Sequence, residues 1–426
     1  MSIDFDVVVI GGGPSGLSTA YFLSKYGFNV LVLERGSKLG SKNVFGGRVY
    51  SYPFDKYFPG WRDELNVERW VSHEKLITLC KEDSIELTLA RGSSDKYKSF
   101  TIFLSKLLEW MGERVESEGG VIATGVKADK IIFEDNVVSG VEAGGDVIKS
   151  LYVVFAEGVN SVLAEEYKLK SKPSPDKYAV GVKEVFKVDR SKINNLFGLD
   201  NDSGVAAYIL GGPLKGVRGG GFLYTMRDYI SLGVVVHLNE AFEEVYPREL
   251  IEDLRLHPYM QKIFKDATLI EYSARLVSEA GLHGILEKPY GDGYLIVGDS
   301  AGYVLNTGFT VRGVDYAVLS GKYAADTIKY SHENGSRDSK FLAKYMELVK
   351  SSPIYHGLKK FKDVDKALSD RYVYSILPGI LCRLFNKVYS TGEEPYKLYD
   401  SLIDSIKSES GIINLIYKLI TLGRSI

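Results

Sequence analysis

The sequence predicts an α/β protein in which a Rossmann-like dinucleotide-binding domain is interleaved with an antiparallel β-sheet domain and is followed by C-terminal helices. Three observations support this fold class. A β-branched strand at 6–10 runs into a glycine-rich turn and then a helical pattern. Short runs that alternate apolar and polar residues fill the span 172–285. From residue 338 onward, apolar residues recur with helical spacing.

Composition excludes several classes of protein. The chain has 426 residues, with 53 Lys and Arg against 55 Asp and Glu, and this near-neutral balance argues against nucleic acid as a partner. Two cysteines are too few for a self-contained thiolate metal site, since an iron–sulfur cluster takes about four. No stretch approaches the ~20 apolar residues of a membrane span. We expect a cytoplasmic protein whose contact with the inner face of the cell membrane, where it occurs, is peripheral.

The first motif is a glycine turn between a strand and a helix. Gly11 permits the tight turn, Gly13 lets backbone amides approach a pyrophosphate, and Gly16 allows the helix to pack closely on the strand. A second strand, 29–33, ends at Glu34, an acid suited to a ribose hydroxyl. A glycine-rich turn without a ligand is the alternative, which the accompanying strands and acid disfavour.

Two later segments specify the dinucleotide. The strand 153–155 ends in Ala156-Glu157-Gly158, and the strand 294–297 ends in Gly298-Asp299 before a helix. With the first motif, these segments resemble the three-part FAD signature of the hydroxylase-type flavoproteins. Taken alone, Asp299 could equally be a helix N-cap. No second GxGxxG occurs, so we expect electrons to come from a substrate or another protein rather than from a bound nicotinamide.

Five strings make the resemblance specific: GGR at 46–48, GVKEV at 181–185, GGGFLYT at 219–225, EYSA at 271–274 and TVRG at 310–313. In this order they resemble the FixC family, relatives of electron transfer flavoprotein–quinone oxidoreductase within the geranylgeranyl reductase and hydroxylase-type FAD superfamily. The resemblance runs from the first strand to about residue 330. It implies an FAD-dependent oxidoreductase that accepts electrons from electron transfer flavoprotein and passes them to a membrane quinone. The iron–sulfur cluster of larger relatives would sit on a separate ferredoxin-like, FixX-type protein.

The motifs and the resemblance together predict the cofactor-binding residues, while flavin carries the chemistry and no catalytic side chain or metal site is predicted. Arg48 and Arg312 are candidates for tuning the flavin, and the alternative for each is an ion pair with Glu184 or Asp315. Glu157 stands where relatives have Asp, and Leu104 where they have Arg. The predicted cofactor-binding residues are Gly11, Gly13, Pro14, Ser15, Gly16, Glu34, Arg35, Lys42, Gly46, Gly47, Arg48, Val126, Gly158, Gly298, Asp299, Gly302, Gly308 and Phe309.

The predicted domain organisation has four parts. An FAD-binding domain covers 1–171 with a small insertion at 51–98, and 286–337 complete it. Residues 172–285 form the antiparallel substrate or quinone domain, and 338–426 form the C-terminal helical region. These last helices either pack on the FAD domain or offer a membrane or partner surface. Cys80 and Cys382 are predicted to be ordinary half-buried thiols.

Two other functions remain open. One is a geranylgeranyl-reductase-like flavoenzyme that saturates prenyl lipids, which is disfavoured because the PxxYxWxFP motif expected of such reductases is absent. The other is a flavin-bearing electron-relay subunit without turnover of its own. The ability of the purified protein to reduce a quinone unaided would separate the relay from the oxidoreductase.

Overall fold

Two β-sheets, each with its own hydrophobic core, organise the chain in this computed structural model. The structure describes residues 3–41, 46–92, 98–171, 174–214, 216–239, 245–390, 392, 394–409 and 411–426. The predicted α/β fold class is confirmed.

The first sheet carries the dinucleotide-binding motifs and has the strand order β16-β17-β10-β1-β2-β7, with β9 paired to β10 and β8 paired to β9. Strand β1 is parallel to β2 and β10, and β10 is parallel to β17. Val7, Val8 and Val9 are fully buried, as expected of a parallel strand covered on both faces. The strands are β1 (Phe5–Ile10), β2 (Val30–Glu34), β7 (Val121–Thr124), β8 (Ala128–Glu134), β9 (Val137–Ala143), β10 (Asp146–Phe155), β16 (Tyr290–Gly291) and β17 (Tyr294–Ile296).

Helices cover this sheet. Helix α1 follows the glycine turn and packs along α9, and ten of its residues are buried. Such complete burial explains why its sequence is apolar or small all round rather than amphipathic. The helices associated with this sheet are α1 (Pro14–Lys25), α4 (Leu104–Ser117), α5 (Val162–Glu166) and α9 (Val314–Glu333).

The second sheet has the order β15-β11-β14-β13-β12-β4-β6-β3, with β5 paired to β4. All its pairs are antiparallel except β4 with β12. One face packs on α7 and α8 through residues such as Leu223, Leu232 and Leu254. Its strands are β3 (Gly46–Tyr50), β4 (Arg69–Leu79), β5 (Ser84–Ala90), β6 (Ser99–Phe103), β11 (Tyr178–Lys187), β12 (Ser203–Gly211), β13 (Gly219–Thr225), β14 (Tyr229–His237) and β15 (Thr268–Ser278). The helices that lie between these strands in the sequence are α2 (Tyr52–Tyr57), α3 (Trp61–Glu64), α6 (Arg190–Phe197), α7 (Pro247–Leu256) and α8 (Pro258–Phe264).

The extent of the second sheet differs from the sequence-based division. Strands β3 to β6, from 46–103, pair within this sheet, while side chains of β3 and β6 such as Val49 and Phe100 pack in the first core. The link is the parallel pairing of β4 with β12, for example Leu76 beside Tyr208. Strand periodicity shows which residues face a core, but it does not say which of two sheets a strand enters.

The C-terminal helices divide between the two cores. Helices α10 (Ser339–Leu342), α11 (Lys344–Lys350) and α12 (Pro353–Lys360) pack on the first core. Helices α13 (Val364–Leu368), α14 (Ile376–Val388), α15 (Leu398–Glu409) and α16 (Ile412–Ser425) follow, and α13 forms a small core with Leu210 of β12. Within the described part of the chain, no helix has the length and hydropathy that crossing a bilayer requires.

A disulfide joins Cys80, directly after β4, to Cys382 in α14 across 302 positions. The prediction of two ordinary thiols is therefore wrong. Two cysteines so far apart leave no local pattern, and only the folded chain brings them together. The bond ties α14 to the end of β4, beside a cleft of about 670 Å³ lined by residues such as Gly211, His257 and Pro378.

We predict that this disulfide stabilises the docked C-terminal helices. The double variant Cys80→Ser with Cys382→Ser should lose about 2–4 kcal/mol of unfolding free energy, because an intact crosslink restricts the unfolded chain. Thermal unfolding followed by circular dichroism should show a lower midpoint for the double variant. Dithiothreitol should lower the midpoint of the wild type and leave that of the variant unchanged. Equal midpoints for the two proteins would contradict the prediction.

Candidate functional site

The carboxyl ends of three parallel strands meet at one edge of the first sheet. Gly11 follows β1, Gly158 follows β10 and Gly298 follows β17. Hydrogen bonds connect these ends, since Ser300 Oγ donates to the Gly158 carbonyl at 2.9 Å and the Gly298 amide donates to Ser320 Oγ at 3.0 Å. In open α/β sheets, this edge is where nucleotides bind.

The glycine turn leaves the start of α1 open. A Cβ on Gly11 would lie 2.4 Å from the Ala156 carbonyl oxygen, and one on Gly16 would lie 2.0 Å from that of Gly11. At Gly13, by contrast, no described atom lies within 4 Å of the Cβ position. Pro14 begins the helix, which has no side-chain N-cap. The first-turn amides therefore face free space, which suits a pyrophosphate.

Glu34 lies beside this turn at the end of β2. Its Oε2 accepts a hydrogen bond from the Gly12 amide at 3.0 Å, and its Oε1 accepts one from the Gly36 amide at 2.6 Å. The Val126 amide donates to the Glu34 carbonyl at 3.0 Å, so the loop after β7 lies next to it. Arg35 is exposed. These bonds fix the carboxylate where a ribose hydroxyl bound near α1 would meet it.

The turn after β17 carries Asp299 between Gly298 and Gly302. Asp299 lies inside a single 3-10 turn rather than at its N-cap, so capping does not explain it. Burial raises the pKa of Asp299 to about 6, and the charge of the buried Lys170 opposes this effect. A Cβ on Gly298 would lie 2.6 Å from Oγ of the buried Ser15, and one on Gly302 would lie 2.1 Å from a carbonyl oxygen. Both glycines are thus required for close packing of the chain itself.

The acid of the second segment has a structural role. Glu157 accepts hydrogen bonds from the Leu163 amide at 2.9 Å and the Ala164 amide at 3.1 Å, and so caps α5. Burial raises the pKa of Glu157. Gly158 has a positive φ of 73° and an open Cβ position. Gly158 therefore stays available to a ligand, whereas the Glu157 carboxylate is engaged.

Arg48 and Arg312 both lie against the ring of Tyr50. The Arg48 guanidinium lies 4.5 Å from the Tyr50 ring centroid, and that of Arg312 lies 4.0 Å from it. Arg312 pairs with Asp315, as one sequence alternative proposed. Arg48 instead makes a bidentate ion pair with Glu74, at 2.9 and 2.5 Å, and not with Glu184 or Asp315.

Sequence reasoning missed Tyr50 and Glu74. Tyr50 had a signal, because residues two apart on a strand share a face and Arg48 already stood out. Glu74, on β4, had no such signal in the sequence. Among the other predicted residues, Gly46 and Gly47 begin β3, and Lys42 lies outside the described residues.

The short hairpin of β18 (Leu305–Asn306) and β19 (Val311–Arg312) carries the last predicted residues. Gly308 has a positive φ, and a Cβ there would lie 2.8 Å from Ile426 at the end of the chain. Phe309 is 56% exposed. Thr310 reaches Tyr50, with 3.3 Å between their hydroxyl oxygens. The hairpin thus borders the Arg48–Tyr50–Arg312 group.

Three aromatic side chains lie on the second sheet, on the face opposite α7 and α8, and the Phe222 and Tyr224 ring centroids are 5.3 Å apart. We call Tyr208, Phe222 and Tyr224 the aromatic floor. A Cβ on Gly220 would lie 2.5 Å from the Tyr208 ring, and one on Gly233 would lie 2.1 Å from the Phe222 ring. The glycines therefore let the rings lie against the backbone. Tyr224 is also close enough to Arg48 for the guanidinium to lower its pKa, against the larger raising effect of burial.

Comparisons with known proteins agree with this architecture. Residues 178–277 match the family described as ETF-QO, ubiquinone-binding, and residues 9–73 match the NAD(P)-binding Rossmann-like domain. The chain is 34% identical to protein FixC of Escherichia coli K12 over 417 residues, which cover 97% of this chain and 96% of that one. It is also 34% identical, over 97% of its length and 96% of the relative, to a probable electron transfer flavoprotein-quinone oxidoreductase of the same strain.

Among solved structures, a geranylgeranyl bacteriochlorophyll reductase-like protein of Thermoplasma acidophilum superimposes with a TM-score of 0.75. The two chains are 18% identical, and the match covers 98% of this chain and 99% of the other. At this identity the likeness shows the shared fold.

We predict that Gly13→Val abolishes FAD binding without unfolding the protein. A Cβ at position 13 meets no described atom of the chain, so a loss of flavin is expected to report a clash with the ligand. Bound FAD, measured by the ratio of flavin to protein absorbance, should fall by more than about tenfold, which corresponds to 1.4 kcal/mol or more of binding free energy.

Gly92→Val is the matched control, because Gly92 also has an open Cβ position and no positive φ. This control should keep its flavin. After removal of FAD, both variants should unfold at the same temperature as the flavin-free wild type. Undiminished flavin in Gly13→Val would show that the pyrophosphate does not lie at the start of α1.

Proposed function

The chain belongs to the FixC and electron transfer flavoprotein–quinone oxidoreductase family, and from this membership we propose that it accepts electrons from electron transfer flavoprotein and passes them to a membrane quinone. It is an FAD-dependent oxidoreductase linked to quinone. FAD, when bound, supplies the redox chemistry by accepting two electrons and releasing them again. The residues of the chain bind the cofactor, orient the two substrates and control the access of water and protons.

The match of residues 178–277 to the ubiquinone-binding family carries this proposal, because that segment contains all three rings of the aromatic floor. A quinone headgroup is a flat ring, and flat rings stack on aromatic side chains. We propose that the headgroup lies on the floor, between Tyr208 and the hairpin of β18 and β19. Lining this space with aromatic side chains also suits the apolar isoprenoid tail.

We propose that the Arg48–Tyr50–Arg312 group borders the flavin. Each guanidinium is half of an ion pair, with Glu74 or with Asp315, so its charge is partly neutralised. The group would therefore tune the cofactor mainly through directed N–H donors and less through net positive charge. Its stacking on Tyr50 keeps both guanidinium groups in place.

We propose that the iron–sulfur cluster of the electron pathway, where one is used, sits on a separate ferredoxin-like protein of the FixX type. Both cysteines of this chain are joined in the disulfide, so no thiolate is left to bind iron. A relay of this kind needs a docking surface on the oxidoreductase, and the partner is proposed from the family membership alone.

The face by which the protein would reach the membrane quinone is proposed to be α16. Its exposed apolar residues include Ile413 at 86%, Ile416 at 53% and Ile420 at 50% exposure. Leu422 and Ile426 face inward and pack on the small core around Leu210. A helix with one face docked and the other apolar and exposed suits the interface of a bilayer.

Reduction of prenyl chains by a geranylgeranyl-reductase-like enzyme is the second candidate function. An aromatic floor would accept a prenyl chain as readily as a quinone tail, and the fold is shared with such a protein. The ubiquinone-binding match favours the quinone.

A relay subunit without turnover is the third candidate function. The first experiment described below separates all three candidates.

We predict that electron transfer flavoprotein reduces the purified protein. Anaerobic addition of the reduced flavoprotein from the same organism should bleach the visible flavin absorbance, and a short-chain quinone should then restore it. The flavin-free Gly13→Val variant is the control for the absorbance of the donor itself. Bleaching without recovery would indicate a relay that needs its ferredoxin-like partner. No bleaching would contradict electron transfer flavoprotein as the direct donor and favour prenyl reduction.

We predict that α16 mediates membrane binding. The triple variant Ile413→Gln, Ile416→Gln and Ile420→Gln keeps helix propensity but removes apolar side chains worth about 1.5 kcal/mol or more each when buried. Its affinity for anionic vesicles, measured by co-sedimentation, should fall by more than about tenfold.

The control for α16 is Leu87→Thr with Leu89→Thr on β5, where the leucines are 69% and 57% exposed. This pair of substitutions should leave vesicle binding unchanged. Loss of binding in the control, with retention in the triple variant, would move the membrane face from α16 to β5.

A further inference from the structure

One buried carboxyl lies at the end of the aromatic floor and is not among the predicted cofactor-binding residues. Glu279 directly follows β15 and is only 4% exposed. Its amide donates to the Lys177 carbonyl at 3.0 Å, which fixes the backbone. Its Oε2 accepts a hydrogen bond from Asn306 Nδ2 at 2.6 Å. Asn306 belongs to the hairpin of β18 and β19, so this bond joins the two domains at the proposed quinone cavity.

Tyr208 of the aromatic floor lies next to Glu279. The Tyr208 hydroxyl donates to the Gly219 carbonyl at 3.2 Å, and the Tyr208 ring lies over Gly220. Tyr208 is close enough to Glu279 for the carboxylate to raise the pKa of the phenol, after the larger effect of burial. Glu279 and Asn306 therefore stand at the Tyr208 end of the floor, and Arg48 stands at the Tyr224 end.

The charged and titratable groups that face Glu279 come from several elements. Arg218, just before β13, forms an ion pair with Asp365 of α13. His237 ends β14 beside Arg218, and burial, together with the charge of Arg218, lowers the pKa of His237 to about 3. His237 is thus neutral, and the ion pair is compensated within itself. Asp176, whose charge acts on His237 in the opposite direction, forms an ion pair with Lys177. Among the described residues, Glu279 and Tyr208 complete this cluster, and a phenol releases its proton only at high pH.

We propose that Glu279 delivers a proton to the quinone that is reduced on the aromatic floor, an inference that rests on the proposed function. Conversion of a quinone to a quinol takes two electrons and two protons. Two electrons and one proton arrive from the reduced cofactor. For the second proton, the O–H bond of the Glu279 carboxyl breaks as an O–H bond forms on a quinone carbonyl oxygen. The carboxylate then regains its proton from solvent.

The surroundings of Glu279 give it the protonation behaviour that this role requires. Burial raises the pKa of Glu279 to about 7, while the hydrogen bond from Asn306 and the charge of Arg218 lower it and Asp365 raises it. A carboxyl with this pKa is protonated in a large share of molecules at neutral pH and can both give up and recover a proton. An exposed glutamate would be almost fully ionised.

The test uses the holoenzyme reduced with dithionite, so that it does not depend on electron transfer flavoprotein. Stopped-flow absorbance follows reoxidation by a short-chain quinone, which takes up protons, and by ferricenium, which takes up electrons only. In the wild type, the quinone rate should fall as pH rises through about 7, because the proton-donating form is lost. Glu279→Gln should slow the quinone reaction by about 10²-fold, the lower end for a positioned proton donor, and flatten its pH profile.

Ferricenium should reoxidise the wild type and Glu279→Gln at the same rate. Glu279→Asp keeps an ionisable carboxyl and should lose less than Glu279→Gln. Glu184→Gln is the matched control, since Glu184 is a buried carboxyl on the opposite face of the sheet, 3.7 Å from Arg255, and its pKa is also raised by burial. This control should reoxidise with quinone at the wild-type rate.

A second readout needs no turnover. Because the folded-state pKa of Glu279 is raised, folding takes up a proton and the wild type loses stability as pH rises from about 4.5 through about 7. The melting temperature of Glu279→Gln, relative to that of the wild type, should therefore increase between pH 5 and pH 8.

Four results would overturn the inference, the last of them through the proposed function on which it rests. A Glu279→Gln variant that keeps the wild-type quinone rate and pH profile would show that the proton comes from elsewhere. Equal slowing with quinone and ferricenium would assign Glu279 a structural role only. A melting difference that does not change with pH would show that Glu279 does not hold a proton near neutral pH. A wild type that quinone does not reoxidise at all would instead refute the proposed function, and the inference with it.

Discussion

Close backbone packing around the start of helix α1 is the constraint on which the rest of the structure depends. Gly16 brings α1 against the Gly11 turn, and in α9 a Cβ on Gly321 would lie 2.4 Å from the Ser15 carbonyl oxygen. A third glycine, Gly298, lets the turn after β17 approach Ser15 from the sheet. With α1 held from these directions, its uncapped N-terminus has one orientation, toward the edge where the strands end. The position of Glu34 beside that N-terminus follows from the same packing.

The second sheet uses glycine for a different purpose. On β13 and β14, Gly220 and Gly233 have no side chain because aromatic rings from neighbouring strands occupy that space. The result is a flat apolar surface on one face, while the other face packs on α7 and α8. A flat surface selects planar or extended apolar ligands by shape and makes no demand on their polar groups. Specificity for a ligand that accepts protons must then come from the ends of the floor, where Arg48 and Glu279 stand.

The local parts of this arrangement could be predicted from the sequence, and the distant parts could not. The glycine turn with Glu34 was predictable, because each residue type reports a backbone requirement within one strand–helix–strand unit. Arg48 was recognised as a candidate, but its partner Glu74 was not, since the pair depends on how β3, β6 and β4 align. The disulfide and the pairing of β3 to β6 within the second sheet could not be predicted either, because only tertiary packing decides them.

The C-terminal helices complete the site rather than append to it. Asp365 of α13 neutralises Arg218, and without that ion pair the guanidinium would face Glu279 uncompensated and favour its ionised form. Ile426 closes the space beside Gly308, and the disulfide holds α14 against the end of β4. The same helices expose the apolar face of α16. In the proposed function, these docked helices have two tasks: they keep the surroundings of Glu279 buried, and through α16 they present an apolar surface to lipid.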